Sequence, residues 1–453
     1  MRRGLLSTAA LLVVLVTAVV SAQVQPPLDT QTSEAPLGAL AAPQIKEERA
    51  RVFEALVDLF RDYYWDPDYL DWDAWADRHR DAALNATERL VFDAVMRRMV
   101  SEVGDDHSRW LGLTSLDFDS LLGQEVKGVT FGLQVRFLSG VGLVIERVLP
   151  TTPADAAGLL RGDVIEAIDG VDLRAVDQLA VDAVMNATLS AGAATMSVRR
   201  GARAAATVEL VPAAADERAL QLNPYATMLE GDVGFLYLPS FTLVGTGAKA
   251  HELLGSLQER GARSFVIDLR GNLGGSLAEL GVFLGAFIDG EWGQAIARGK
   301  VLWSAEFRAD RAGTAAVGVA RLVGSDGRAV REVRVAAPVW IDAPLAVLVD
   351  SRTSSAAEVA AAVLQARGLA SVVGVATLGN VEVVQGFGLP DGSNVLVAVA
   401  NLQLPDGTSL DGGVRPSTHA IADVRQLARG FDPAIAGALS ALSGLPFTPG
   451  RFF

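Results

Sequence analysis

Apolar positions recur along this chain at two periods, and the change from one to the other divides it. Between Ile45 and about Val103 they fall at helical spacing: Val52, Leu56, Leu59 and Phe60 mark one face, Leu90, Val91, Ala94 and Val95 another. From 121 to 213, short β runs such as Val129–Phe137 and Gly142–Val148 alternate with turn residues. A short helix is expected at Pro153–Leu159 and a longer one at Asp177–Ala187, with strands at Thr195–Arg199 and Thr207–Val211. From Tyr225 the runs Val233–Leu238, Ser264–Arg270, Pro344–Asp350, Ser371–Ala376 and Asn394–Leu404 read as strands of a core. Helices Ala248–Arg260, Ser276–Ile288 and Val359–Ala366 lie among them. Residues 291–342 carry polar β-like runs around the hairpin signal Ser325-Asp326-Gly327, and about 425–453 ends in a short helix and an aromatic tail. The expected fold class is α/β multidomain: an N-terminal helical segment (45–120), a β-rich domain (121–213) and an α/β core (225–425), followed by 426–453.

Residues 1–44 fit none of these units. Arg2 and Arg3 precede the apolar run Leu5–Val20, and Val20-Ser21-Ala22 offers small residues before a cleavage point. Residues 1–22 therefore read as a signal peptide, or as a membrane anchor if uncleaved, and the Pro-, Ser-, Thr- and Ala-rich residues 23–44 as a linker. The expected location is exported: periplasmic, cell-envelope or extracellular.

Composition narrows the chemistry. Of 453 residues, 50% are hydrophobic and 20% charged, which fits large packed cores rather than disorder. The net charge of −14 argues against a general nucleic-acid partner. With no cysteine, thiol catalysis, disulfides and thiolate metal sites are excluded. No cluster has metal-ligand spacing, and Gly271–Gly275 lacks the Lys-Ser/Thr that would make a phosphate loop, so no cofactor is expected. His79, His251 and His419 fall on surface-like patterns. The cluster Tyr63-Tyr64-Trp65 with Trp72 and Trp75 reads as core packing, with a sugar or peptide platform as the alternative.

Ser355 stands where the strand Pro344–Asp350 turns into a helix, a place where a hydrolase can hold a nucleophile. The same residues, Ser355-Ala356-Ala357-Glu358, also spell a capping box that needs no catalysis, and Ser354 is a neighbouring candidate. The turn Asn272-Leu273-Gly274-Gly275 can aim bare N–H groups at a developing oxyanion, or can serve only as a tight strand–helix connection.

Two resemblances sharpen this. Residues 121–213, with the specific run Arg161–Gly170, resemble a PDZ domain of the bacterial protease type. That resemblance assigns the carboxylate-binding loop to Thr130, Phe131, Gly132 and Leu133, although Gly132 could be a turn glycine alone. The runs Leu236–Phe241, Ile267–Gly275, Thr353–Glu358 and, in part, Gly374–Gly379 with Gln385 resemble the tail-specific, or C-terminal processing, serine proteases. The resemblance covers most of residues 45–425. It implies a core of the ClpP/crotonase-like type, Ser355 as nucleophile, and an oxyanion hole from Gly274 or Gly275 with Ala356. The slot in which that family carries a lysine base holds Asn380, and no lysine follows Lys300. In the tricorn branch a histidine in the region matching Gly104-Asp105-Asp106-His107 is the base, which makes His107 a second candidate, unless Asp106 and His107 only hold a corner. Asp411 is a candidate to orient it. The expectation is an exported serine endopeptidase acting on polypeptides with exposed C-termini. The contrasting one is a protease fold without catalysis, binding peptides as a scaffold or chaperone.

Overall fold

The computed structural model describes residues 42–105, 107–113, 127–216, 221–310, 316–379, 381–410, 412–421 and 423–444. The expected leader, most of the linker, Asn380 and Asp411 lie outside these residues. The helical pattern forms three helices, α1 (Ala42–Tyr63), α2 (Trp72–Leu84) and α3 (Arg89–Ser101), followed by strand β1 (Arg109–Gly112). Helix α1 thus begins three residues inside the expected linker. Val52, Phe53, Leu56, Val57 and Phe60 are fully buried against Trp75, Phe92 and Met96. The aromatic cluster is mostly core: the Phe60 and Trp75 rings lie 5.0 Å apart, and the Trp72 and Trp75 rings meet edge-on at 5.5 Å.

The β-rich segment comprises β2 (Lys127–Thr130), β3 (Leu133–Leu138), β4 (Gly142–Val148), α4 (Pro153–Ala156), β5 (Val164–Ile168), β6 (Val171–Asp172), α5 (Gln178–Ala191), β7 (Ala194–Arg199), β8 (Ala206–Leu210) and β9 (Ala213–Asp216). Its antiparallel sheet runs β3-β4-β5-β7-β8, with β6 added to β5 and β3 at an open edge. Phe131, Ile145, Ile165 and Met196 lie in its core. Strands β2 and β9 pair with each other alone, where the chain enters and leaves this unit.

The rest forms β10 (Tyr225–Leu229), β11 (Val233–Tyr237), α6 (Thr246–Glu259), β12 (Ser264–Asp268), α7 (Leu277–Leu284), β13 (Gly290–Ala297), β14 (Lys300–Asp310), β15 (Val317–Gly324), β16 (Ala329–Ala336), β17 (Leu345–Val349), α8 (Ala356–Ala366), β18 (Ala370–Gly374), β19 (Glu382–Gly388), β20 (Asn394–Gln403), β21 (Thr418–His419), α9 (Val424–Leu427) and α10 (Pro433–Ser443). One sheet is ordered β10-β11-β12-β17-β18-β21 and is parallel from β11 onward. All five residues of β17 are buried because both its faces are covered, Leu345, Val347 and Val349 by one cluster and Ala346 and Leu348 by another that includes α10. A second sheet, β1-β20-β13-β14-β15-β16 with β19 also on β20, is antiparallel.

The structure corrects several expectations. Residues 109–112, assigned with the helices, pair with β20, and one apolar cluster joins α1–α3 to Val395 and Val397 of that strand. The short strand carries too little periodicity to announce itself. His79 and His251 are buried, at 6% and 2% exposure. A polar symbol in a periodic pattern hides the fact that an imidazole can be fully bonded. His251 accepts the Val339 N–H at 3.1 Å and its Nε2 lies 2.7 Å from the Val282 carbonyl, and burial holds its pKa down. His79 meets Glu102 at 2.8 Å. The C-terminal segment holds two helices rather than one: α10 covers the parallel sheet, and α9 packs on Val144 and Val164 of the β-rich unit.

Charged groups join that unit to the core. Asp432, at the N-cap of α10, accepts from Arg161 at 3.0 Å and from Arg270 at 2.9 Å, and Arg270 also bonds Asp268 at 2.6 Å. The Arg147 guanidinium lies 3.8 Å over the Tyr237 ring.

Candidate active site

Strands β12 and β17 are parallel neighbours, so the turns that follow them emerge side by side. After β12 come Gly271–Gly275 and α7; after β17 come Ser351–Ser355 and α8. The two turns interlock. The Ser354 N–H donates to the Asn272 carbonyl at 3.0 Å and the Gly271 N–H to Asp350 Oδ1 at 3.0 Å. Gly274 has φ +93°, and a Cβ built there would lie 2.7 Å from the Ser355 Cβ and 2.9 Å from the Ala356 nitrogen. No side chain fits between the turns.

Ser355 occupies a backbone conformation that L-residues avoid, φ 53° and ψ −127°, which costs on the order of 1–3 kcal/mol. It is 7% exposed. Its N–H donates to Glu358 Oε2 at 3.0 Å, so the Glu358 arm of the capping box is present in a residue that is also strained. Glu358, 1% exposed, further accepts from Thr377 Oγ1 and the Gly379 N–H, both at 2.5 Å. One carboxylate therefore fastens the serine turn to the loop leading to position 380.

Of the expected oxyanion donors, Gly274 lies against Ser355, Ala356 follows it directly, and Gly275, next in the turn, lies against the Phe241 and Thr242 backbone. The Gly274 N–H donates to Asn272 Oδ1 at 2.8 Å. Among the described residues no acceptor takes the N–H of Gly275 or that of Ala356, the first residue of α8.

His107 lies on a different segment. Asp105 accepts the N–H groups of His107 and Ser108, at 3.0 and 2.7 Å, and the Ser108 hydroxyl at 2.6 Å; that hydroxyl accepts from Ala398 of β20. This pins the corner to the sheet; Asp106 lies outside the described residues. The His107 side chain is 1% exposed, and its Nδ1 lies 2.9 Å from Glu382 Oε2. Glu382 opens β19, three residues beyond Gly379, so the histidine's acid partner follows the loop that Glu358 holds. Sequence reasoning missed Glu382. Asp411, chosen instead, lies outside the described residues, while its neighbours Gly412 and Gly413 pack on Gly379 and Thr377. Burial, with Asp105 adding to it, pushes the nearby Tyr64 phenol far above its ordinary range.

At the expected peptide loop, Gly132 has φ +83°, and a Cβ there would come within 2.0 Å of Thr152 Oγ1. Its N–H donates to Thr130 Oγ1 at 3.0 Å, and the Phe131 side chain is buried in the domain core. Leu133 starts the open-edged β3. A cavity of about 270 Å³ lies beside the loop, lined by Thr130, Thr152 and Ala213 among others. Among the described residues no helix is long and apolar enough to cross a membrane, and no group of three or more His, Asp or Glu is arranged around a metal.

Residues 232–420 match the model of peptidase family S41, and residues 144–181 match that of the PDZ domain. A carboxyl-terminal-processing protease of a Picosynechococcus species is 32% identical over 289 residues, 59% of this chain and 60% of that protein. A protein of the same name from a Synechocystis species is 31% identical over 323 residues, covering 65% of each. The carboxyl-terminal-processing peptidase 2 of Arabidopsis thaliana is 28% identical over 75% of this chain and 63% of its own length. The chain thus spans about three fifths to two thirds of the length of these relatives. A solved structure from Bacteroides fragilis, assigned to the S41 proteases, shares the fold at a TM-score of 0.52 and 16% identity, covering 86% of this chain and 97% of that one.

Proposed function

We propose, for a chain that is of the tail-specific protease family by its S41 core and PDZ domain, that it is a serine endopeptidase with Ser355 as nucleophile. The observation that carries this is the strained Ser355, wedged against Gly274 at the start of α8, with the N–H of Ala356 next to it and that of Gly275 one residue further along the glycine turn. A capping serine has no need of a strained backbone, whereas a nucleophile gains by projecting its hydroxyl from a sharp turn. In the proposed reaction the Ser355 Oγ attacks the scissile carbonyl, and its proton passes to His107. The oxyanion accepts from Gly275 and Ala356. Collapse expels the amine, which takes the proton from His107, and water then hydrolyses the acyl-enzyme. Glu382 orients the imidazole and stabilises its charged form, the part that the sequence assigned to Asp411. Asn380 has no basic nitrogen and takes no proton in this scheme.

Purified protein treated with a fluorophosphonate probe should be labelled, and Ser355→Ala should not. Absence of labelling in the wild type, with peptide binding intact, would leave the scaffold reading standing.

The PDZ domain is proposed to present substrates by their C-termini. The open edge of β3 supports strand addition, and the loop Thr130–Leu133 supports carboxylate capture once a ligand displaces the Thr130 hydroxyl from the Gly132 N–H. By calorimetry, an apolar peptide with a free C-terminal acid is expected to bind more tightly than its amide; equal affinity would reject carboxylate recognition. The sequence 1–22 supports export to the periplasm, envelope or exterior, with membrane attachment if the leader is retained.

A further inference from the structure

Asn272 is completely buried and hydrogen-bonded through both side-chain polar atoms and both backbone groups. Its Nδ2 donates to the Leu238 carbonyl at 2.8 Å, just past β11, and its Oδ1 accepts the Gly274 N–H at 2.8 Å. Its carbonyl accepts the Ser354 N–H and its own N–H reaches the Leu269 carbonyl. One residue thus ties together the ends of three adjacent strands, β11, β12 and β17. The side chain needs a donor and an acceptor on one short planar group. Aspartate lacks the donor, glutamine is a methylene too long, and leucine would strand both the Leu238 carbonyl and the Gly274 amide.

The arrangement has a chemical result. Two glycine amides, those of Gly274 and Gly275, stand in this turn, and Asn272 engages the first. By occupying the Gly274 N–H, Asn272 leaves that of Gly275 to act with Ala356, and by holding the Ser354 N–H it fixes the serine turn relative to that donor. We infer that Asn272 is a positioning residue of the proposed hydrolysis: its side chain selects the Gly275 amide as oxyanion donor and sets its register against Ser355. This rests on the peptidase reading given above.

The test uses Asn272→Asp and Asn272→Ala in the full-length protein. Aspartate still accepts from Gly274 but cannot donate to Leu238, and it brings a negative charge toward the developing oxyanion. Alanine abandons both partners. Turnover is measured per active site titrated, together with KM, the affinity for a peptide boronate that forms a tetrahedral anionic adduct on serine, peptide binding to the PDZ domain, and thermal stability. The expected result is a loss of about 10²–10³-fold in kcat. Boronate affinity should fall in parallel, while KM and PDZ binding stay unchanged. A variant that melts earlier yet turns over normally per titrated site, with full boronate affinity, overturns the inference and leaves Ser355 in place. If Asn272→Ala does not fold, Asn272→Asp decides alone. A wild type that neither cleaves peptides nor takes up fluorophosphonate overturns the peptidase reading, and this inference with it.

Discussion

Replacing His107 with alanine is expected to slow acylation of Ser355 by about 10²–10⁴-fold, the usual contribution of a general base. A buried histidine whose Nδ1 faces a carboxylate at 2.9 Å is held in one orientation. Glu382→Gln keeps a hydrogen-bonding group of the same shape but removes the charge that stabilises the imidazolium, so it should lose activity in the same direction. Single-turnover labelling by an activated ester measures both, and binding of a C-terminal peptide confirms that the variants are folded. Full acylation by His107→Ala would remove the histidine from the mechanism. In that event Asn380→Lys, which restores the family's usual base, should raise activity; if His107 is the base, the same substitution should do little.

The second large effect concerns stability. Asp432→Ala is expected to cost about 3–5 kcal/mol, because it leaves the buried Arg270 guanidinium with Asp268 alone. It also removes the N-cap of α10, where Asp432 accepts from Ala434 at 3.0 Å. Arg161→Ala supplies the control. That side chain is about a third exposed, so its loss should cost no more than about 1 kcal/mol. Urea midpoints at constant m-value measure both, and equal losses would mean that the buried pairing contributes nothing special. The pH dependence has a definite sign. Burial alone would raise the Asp432 pKa, but Arg270 and Arg161 outweigh it and hold the carboxyl far below its usual range. The unfolded chain then binds the proton more readily than the folded one. The stability from Asp432 is complete above about pH 4, the unfolded value, and is lost as pH falls below it. Asp432→Asn should therefore be weaker at neutral pH and flatter in acid.

The parts of the site that the sequence revealed are local ones. Ser355 and Gly271–Gly275 each stand at the end of an unbroken apolar strand and the start of a helix, and those signals lie within about ten residues of the chain. Glu382 was illegible because its partner, His107, comes from the far end of the sequence, and in its own surroundings it is one polar residue at a strand start. Asn272 lay inside a run already singled out, yet it read as turn chemistry, since its side-chain partner Leu238 belongs to another strand. The choice between Gly274 and Gly275 could not be made without that bond. Strand β1 failed for a related reason: four residues paired to β20 carry no periodicity of their own. The apolar strands from Val233 to Val349 were readable because a sheet buried on both faces demands wholly apolar segments.

Helix α10 lies late in the chain, yet it covers the sheet that carries the serine and glycine turns and supplies the acid that neutralises Arg270 beside the glycine turn. On the ribosome the glycine turn is made long before its support. At about 5–20 residues per second, roughly 10–30 s separate Gly275 from the end of α10. Until Asp432 is made, Arg270 has Asp268 alone, and until α10 is made one face of the sheet is bare. A chain cut short before α10 would therefore keep both defects, the half-paired Arg270 and the uncovered face of the parallel sheet, so the last helix is a condition for the geometry of both turns.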